Sequence, residues 1–252
     1  MLQSFKTLKK CSVIASDGDV GAVRDALFDD ERWALRYLVV DAGSLATSHE
    51  ILLLSPQSIS TADWEHHKMH MNLDRASIEK SPHVDAHLPV SRQAEASLLQ
   101  HYGIPYYWDG PHPGGRRNFS DEQLRTIQQD IAQGSEEDQH LRSYDAVAGY
   151  AIAARDKQAG HVVDFLFDEE DWSIQYLVID PRDLWPGKHV LLPADRIEGV
   201  YWSNRSIEVD ATRDEIEHSQ KYDPDHLPPS PRLQIQARTM PGGTSRSRQP
   251  RI

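Results

Sequence analysis

The chain has 252 residues, a hydrophobic fraction of 38%, a charged fraction of 26% and a formal net charge of -12. This length fits two domains of about 100 residues, and the negative charge argues against nucleic acid and anionic membrane surfaces as partners. A single cysteine, Cys11, excludes an internal disulfide, and no apolar run approaches the roughly 18 residues of a membrane span, so a cytoplasmic protein is expected.

The first third of the chain predicts short strands separated by turns. Apolar and β-branched residues predict strands at 12–15, 51–54, 59–64 and 69–73. Between the strands at 12–15 and 51–54, an acidic turn at 29–32 joins two longer strands into a hairpin. Asp74 is a candidate N-cap for a short helix that follows, with Ile78 as its apolar contact.

A helical connector is predicted after these strands. At 92–102 the residues Ala94, Leu98, Leu99 and Tyr102 are spaced to form one apolar stripe. Ser91 is the candidate N-cap and Gly103 the C-terminal stop. The aromatic run 104–108 is expected to dock against a β-domain, 109–117 to form a flexible linker, and 120–133 to form a second helix that begins with a capping box.

The rest of the chain repeats its beginning. Residues 160–180 match residues 21–41, at a distance of 139 residues, with twelve of the twenty-one positions identical. The identical positions include Gly21 and Gly160, Asp25 and Asp164, Trp33 and Trp172, Tyr37 and Tyr176, and Asp41 and Asp180. After a one-residue gap, Trp64 matches Trp202 and Arg75 matches Arg213. So long a period indicates duplication of a whole domain and not a solenoid.

The second copy therefore predicts the same strands as the first. They are expected at 151–154, 162–167, 174–180, 190–192, 197–202 and 207–209, with an acidic hairpin turn at 168–171. Thr212 would cap the short helix that follows, and Ile216 would be its apolar contact. Residues 224–252 are rich in Pro, Ser, Gly and Arg and are predicted to be disordered, ending in the basic residues Arg238, Arg246, Arg248 and Arg251.

About six short strands in each copy favour a small closed barrel, because closure removes exposed sheet edges. We therefore predict an all-β protein with minor helices, made of two tandem β-barrels of about six strands each. The predicted division places the first barrel at 1–82, a helical connector and flexible linker at 83–142, the second barrel at 143–220, and a disordered tail at 221–252.

Both copies contain the pattern G-x-V-x-D-x-L-F-D, then W-x-[LI]-x-Y-L-V-[VI]-D, then a late L-L pair and I-x-x-x-x-W. This pattern resembles the PRC-barrel family over residues 5–82 and 143–220. The family includes the cytoplasmic domain of the photosynthetic reaction centre H subunit and the C-terminal domain of a ribosome maturation factor. Its barrels are known mainly as assembly modules without a shared catalytic residue set, so the resemblance implies two PRC-type barrels and a non-enzymatic role.

Two repeated tryptophans are the candidate partner-binding residues. Trp33 and Trp172 each follow an acidic turn, where an exposed tryptophan could anchor a partner. The two copies could pack about a pseudo-twofold axis and leave a groove in which these rings bind a partner. Each ring could equally fold back over the end of its barrel.

Other reactive residues have structural interpretations that compete with functional ones. The group His66, His67 and His70 could hold Zn²⁺ or Ni²⁺, but its counterparts in copy two, Asn204, Arg205 and Glu208, favour a solvated turn. The repeated acids Asp25, Asp164, Asp41 and Asp180 could act in acid–base chemistry, but their repetition favours hydrogen bonds to backbone N–H groups. Cys11 has no evident histidine partner, which indicates a buried or inert thiol.

The sequence contains no Walker loop, dinucleotide fingerprint, H-E-x-x-H or G-x-S-x-G motif. We therefore expect a non-enzymatic protein-interaction or assembly module that binds protein partners of unknown identity and needs no cofactor and no metal. One alternative is support of photosynthetic electron transport or of membrane-complex assembly, like the H subunit, and another is ribosome maturation. A third is a metal-binding sensor that uses His66, His67 and His70.

Overall fold

A computed structural model describes residues 1–43, 51–82, 92–104, 141–181 and 188–230. Within these ranges the chain forms two mixed β-sheets of seven strands each, accompanied by short helices. The prediction of a mostly β protein built from two similar units is confirmed. No helix in the described ranges is long and apolar enough to cross a membrane.

The first repeat supplies seven strands and three helices. In chain order they are β1 (Leu2–Ser4), α1 (Phe5–Leu8), β2 (Ser12–Ala15), β3 (Gly18–Asp29), β4 (Ala34–Asp41), β5 (Ile51–Leu54), β6 (Ile59–Asp63), β7 (Lys68–Met71), α2 (Arg75–Glu79) and α3 (Arg92–His101). A 3-10 turn, Pro56–Ser58, connects β5 to β6. The six strands from β2 to β7 agree with the predicted ones to within a few residues.

The second repeat has the same order of elements. They are β8 (Leu141–Ser143), α4 (Tyr144–Val147), β9 (Ala151–Ala153), β10 (Gln158–Asp168), β11 (Ile174–Asp180), β12 (Val190–Pro193), β13 (Ile197–Tyr201), β14 (Ser206–Val209) and α5 (Arg213–Glu217). A 3-10 turn, Ala194–Arg196, connects β12 to β13. The strand orders of the two sheets correspond, β5-β4-β3-β2-β7-β6 and β12-β11-β10-β9-β14-β13.

The seventh strand of each sheet comes from the other repeat. β1 pairs antiparallel with β10, with Leu2 opposite Asp168, and β8 pairs antiparallel with β3, with Leu141 opposite Asp29. The two pairings correspond position by position at the repeat distance, so the exchange is reciprocal, as a pseudo-twofold arrangement requires. The sequence patterns did not predict this exchange.

The two repeats also share one hydrophobic core. A single cluster of buried residues contains Phe5 and Phe28 of the first repeat together with Phe165 and Phe167 of the second. The starts of β4 and β11 are hydrogen-bonded to each other as well, since the N–H of Leu35 donates to the carbonyl of Trp172 at 2.9 Å. The repeats are therefore joined through both backbone and side chains.

Helix α3 covers the outer face of the first sheet. Leu98 and Leu99 are buried against Leu27, Tyr37 and other residues of that face, so the predicted apolar stripe is confirmed. The helix ends before Gly103, whose φ of +64° is the left-handed conformation expected of a C-terminal stop. The predicted N-cap at Ser91, the aromatic residues after 104 and the predicted helix at 120–133 lie outside the described residues.

The outer face of the second sheet is covered differently. Leu166 and Leu191 are buried there together with Leu2 from β1, and Tyr222 and Leu227 pack over them. Residues 221–230, which the sequence assigned to the disordered tail, are therefore placed along the second sheet, with Tyr222 and Leu227 packed against it. The basic residues Arg238, Arg246, Arg248 and Arg251 lie outside the described residues.

The short helices after each last strand confirm the predicted caps. The side chain of Asp74 accepts a hydrogen bond from the N–H of Ser77 at the start of α2, and Ile78 is fully buried. Thr212 forms a capping box with Glu215 at the start of α5, and Ile216 is fully buried. Each cap satisfies backbone N–H groups that the first turn of a helix leaves unpaired.

Candidate functional site

The structure places Trp33 and Trp172 at the junction between the two repeats. Both have a positive φ, 49° and 61°, in the turns that follow β3 and β10. The Trp33 ring stacks on Phe28 with ring centroids 5.7 Å apart, and the Trp172 ring stacks on Phe167 at 5.4 Å. Both rings are partly buried, so each has an intramolecular partner, and their role as anchors for another protein stays a prediction.

An aromatic cluster fills the space between these two tryptophans. Phe5 and Tyr144 occupy equivalent positions of the two repeats, and their rings stack on each other with centroids 5.0 Å apart. Phe5 also contacts Phe28, Phe165 and Phe167 edge-on. Such offset and edge-to-face contacts are each worth about 0.5–1.5 kcal/mol beyond the burial of surface, so the cluster strengthens the junction.

The repeated acids Asp25 and Asp164 bind the backbone of the opposite repeat. Asp164 accepts hydrogen bonds from the N–H of Lys6 in α1 at 3.3 Å and from the hydroxyl of Tyr144 at 3.2 Å. Asp25 accepts one from the N–H of Asp145 in α4 at 3.1 Å and one from the hydroxyl of Ser143. Each carboxylate therefore holds the first turn of the short helix that the other repeat contributes.

Burial sets the protonation behaviour of this pair. Asp164 is only 2% exposed, and burial raises its pKa although several hydrogen bonds act against the shift. Burial also raises the pKa of Asp25, with the Ser143 hydroxyl opposing it. The pKa of the Tyr144 hydroxyl is raised by burial and by the negative charge of Asp164. Asp164 lies 158 residues from the backbone N–H of Lys6 in the sequence, and Asp25 lies 120 residues from that of Asp145. The two carboxyl groups therefore connect the two repeats.

The other two repeated acids lie where β4 and β11 end. Asp41 forms an exposed ion pair with Arg24 at 3.1 Å. The backbone carbonyls of Asp41 and Asp180 face Gly21 and Gly160, where an added Cβ would lie 1.7 and 2.1 Å from the carbonyl oxygens. Only glycine permits so close an approach of two strands, which explains why both repeats have glycine there.

The predicted histidine group does not come together as a metal site. His66 is bound to Asp63, with its Nδ1 2.9 Å from one carboxylate oxygen, and it lies in the turn between β6 and β7. His67 has a positive φ of 53° in that turn, and His70 is exposed on β7. In the described part of the chain, no three His, Cys, Asp or Glu side chains lie close enough to hold a metal ion.

Cys11 lies in the core of the first repeat. It is fully buried, and its Sγ lies 3.5 Å from the carbonyl oxygen of Thr7. Burial raises the pKa of the thiol to about 11, so the reactive thiolate is scarce at neutral pH. The expected burial of this thiol is confirmed, and its inertness stays a prediction.

The hairpin between β13 and β14 carries the exposed aromatic residues. Apart from Met1, the large hydrophobic residues exposed in the described ranges are Tyr201 at 42% and Trp202 at 45%. The Trp202 ring meets the edge of Tyr150 at 6.1 Å, and the guanidinium of Arg142 lies over it at 5.1 Å. The ring of Tyr201 lies over Gly199, where an added Cβ would come within 3.1 Å of it. Both rings are therefore held in place although they face solvent.

The equivalent tryptophan of the first repeat is covered instead. Trp64 packs against Phe167 and Trp172, and its indole N–H donates to Glu169. The counterpart of Glu169 is Asp30, which is bound to Arg142 at 2.6 Å. The first repeat has Gln3 at the position of Arg142 and Cys11 at the position of Tyr150, so the two tryptophans have different neighbours.

Sequence reasoning matched Trp64 with Trp202 but did not separate their roles. The available signal was the difference between Gln3 and Arg142, which became meaningful only once β1 and β8 were seen to pair with the opposite sheets. No protein-family model matches the chain, and no curated protein matches it. The internal repeat and the two corresponding sheets are thus the observations on which a function can be built.

Proposed function

We propose that this chain is a non-enzymatic protein-interaction and assembly module made of two PRC-type barrels. The strand order supports barrel closure, because β5 and β6 stand at opposite ends of the first sheet and are connected by a three-residue 3-10 turn. β12 and β13 are related in the same way in the second sheet. In each sheet, one end strand therefore ends close to where the other end strand begins, as barrel closure requires.

The use of the repeated residues supports a non-enzymatic role. Trp33 and Trp172 pack in the junction, and Asp25 and Asp164 hold helix starts. A residue that is needed in this way at equivalent places in both repeats serves the architecture of the molecule. The chemistry-bearing residues that sequence reasoning singled out thus have structural functions of their own.

The observation that carries the interaction role is the exposed pair Tyr201 and Trp202 on a rigid frame. Tryptophan, tyrosine and arginine dominate the energetic centres of protein interfaces, and all three types meet at this hairpin. A frame held by exchanged strands presents them at low entropic cost, since little has to become ordered on binding. A platform for another protein accounts for this arrangement.

The test is affinity capture of the tagged 252-residue chain from lysate of its native cells, followed by cross-linking and mass spectrometry. We expect one or a few proteins to be enriched over the tag alone, and to form a complex of defined stoichiometry when purified and mixed with the chain. If no protein is enriched above the tag control and none cross-links, the proposal is wrong.

A further inference from the structure

We infer that the hairpin connecting β13 to β14 is the docking site, and that it takes an acidic segment of a partner protein carrying an apolar side chain. This inference rests on the proposed interaction role and deepens it. The hairpin spans Tyr201 to Ser206, and its neighbours Tyr150 and Arg142 complete the surface. We call this set of residues the hairpin surface.

The apolar part of the recognition comes from Trp202 and Tyr201. Nearly half of each side chain faces solvent, whereas large aromatic residues are usually mostly buried in a folded chain. Both rings are held by neighbours, Trp202 by Tyr150 and Tyr201 by Gly199. A partner that covers them gains hydrophobic contact with little loss of side-chain conformational entropy, because the rings are already ordered.

The charge preference comes from Arg205 and Arg142. Arg205 is exposed in the turn with a φ of +51°, its guanidinium lies over Tyr150 at 5.5 Å, and no ion pair involves it among the described residues. Arg142 is paired with Asp30 and presents its guanidinium to Trp202. The exposed guanidinium of Arg205 beside the Tyr150 ring suits a carboxylate, which it can bind in bidentate geometry.

The same hairpin in the first repeat has the opposite character. Asp63, Trp64 and Glu65 stand where the second repeat has Tyr201, Trp202 and Ser203. Trp64 is covered, Glu65 is exposed, and His67 replaces Arg205. The first hairpin loop, 63–68, has two acids and one lysine, whereas the second, 201–206, has Arg205 and no acid. An acidic segment would therefore be favoured at the second loop, on the side of Arg205 and away from Glu208, whose carboxylate lies beside the Tyr201 hydroxyl. The duplicated frame thus offers one docking site instead of two equivalent ones.

The net charge of the whole chain restricts the binding of an acidic segment to the surface near the arginines. At -12 the molecule repels acidic partners at a distance, so a segment of this kind must be recognised by the local arginines at close range. Added salt screens both effects. We expect binding to depend on Trp202 at any salt concentration, and on Arg205 mainly at low salt.

The experiment places a photo-reactive benzoylphenylalanine at Ser203, an exposed residue beside Trp202 that leaves the aromatic rings intact. The matched control carries it at Glu65, the equivalent position of the first repeat. The 252-residue chains are irradiated in native cells, and the cross-linked peptide of the partner is sequenced. We expect cross-linking at position 203 well above that at 65, to a segment rich in Asp and Glu that also holds an aromatic or aliphatic residue.

Binding of the purified partner then measures the contributions of individual side chains. Trp202→Ala should weaken binding at least about tenfold, and Arg205→Ala should weaken it about threefold to tenfold at low salt and less at high salt. His66→Ala, an exposed change in the first hairpin, should leave the affinity unchanged. Circular dichroism of each variant verifies the fold.

Several results would overturn the inference. They are cross-linking to a neutral or basic segment, to nucleic acid or to a second copy of this chain, equal cross-linking at 203 and 65, or unchanged affinity in Trp202→Ala. If affinity capture still yields a partner that ignores the hairpin variants, the interaction role stands and this site is wrong. If capture yields no partner, both the role and the site fail.

Discussion

At the scale of single residues, the two repeats are joined by acids that reach across the junction. Asp164 accepts a hydrogen bond from the N–H of Lys6, and Asp25 accepts one from the N–H of Asp145, at equivalent positions of the two repeats. Both carboxyls are buried enough for their pKa to be raised. The bonds that unite the repeats therefore have an electrostatic cost when the acids are ionised, because a buried charge loses its hydration.

This cost predicts the effect of Asp164→Asn on stability. With a raised pKa in the folded state, the contribution of Asp164 to the free energy of unfolding is fully present below the ordinary aspartate pKa of about 3.9 and is lost as the pH rises through the raised pKa. Asparagine keeps an oxygen for the N–H of Lys6 and the Tyr144 hydroxyl but has no charge. In urea unfolding between pH 4 and 7, the stability of the wild type should therefore decrease relative to that of the variant as the pH rises.

The control for that measurement is Asp19→Asn at an exposed position of β3. It makes the same chemical change at an exposed site, so the pH-dependent difference for Asp164→Asn is measured against it under the same conditions. If the stability lost in Asp164→Asn instead grows as the pH rises, the hydrogen bonds of the carboxylate outweigh its burial and the expected sign is wrong.

The roles of several residues were readable from the sequence, and their exposure was not. Repetition of Asp25 and Asp164 favoured hydrogen bonds to backbone N–H groups, which the structure shows. The choice between packing and exposure for Trp33 stayed open in the sequence, because it depends on Phe165 of the other repeat, which lies near the ring. The exposed Trp202 was missed because its surroundings include Arg142, whose strand pairs with the sheet of the first repeat.

At the scale of elements, the longer strands and the caps were predictable, and the exchanged strands β1 and β8 were not. β3 and β10 carry 12 and 11 residues, enough for apolar alternation to be recognised. β1 and β8 have three residues each, and no periodicity can be read from three positions. Their strand conformation is imposed by pairing with the long strands of the opposite repeat.

The close approach of β10 to the end of β11 gives a prediction for Gly160→Ala. The new Cβ would lie 2.1 Å from the carbonyl oxygen of Asp180, at a φ of +104° that side chains rarely adopt. Since strand backbone cannot move away cheaply, the free energy of unfolding should fall by about 3 kcal/mol. Chemical denaturation of the purified variant measures it.

Gly149→Ala separates the steric clash from the backbone conformation. Gly149 also has a positive φ, +86°, but an added Cβ there would meet no atom within 4 Å. We expect a loss of only about 1 kcal/mol for the unfavourable φ. Equal losses in the two variants would show that φ alone matters and that β10 can shift away from Asp180.

At the scale of the whole molecule, the two repeats form a single folding unit. Each sheet is completed by a strand from the other repeat, and one core contains aromatic residues of both. Two independent barrels connected by a linker would have kept their first strands. The duplication could be recognised from the sequence because matching residues recur at a fixed distance. The exchange could not, because it depends on which of two sheets each short strand pairs with in the folded molecule.

Cutting the chain between the repeats tests this unity. A specific protease site inserted between Gly115 and Arg116 separates the two repeats covalently, outside the described residues. Because β1, β8 and the aromatic cluster hold the halves together, the cut protein should still elute as one species in size-exclusion chromatography. Its unfolding becomes bimolecular, so its thermal midpoint should rise with protein concentration while that of the uncut chain stays constant. Halves that separate without denaturant would show that the exchanged strands contribute little.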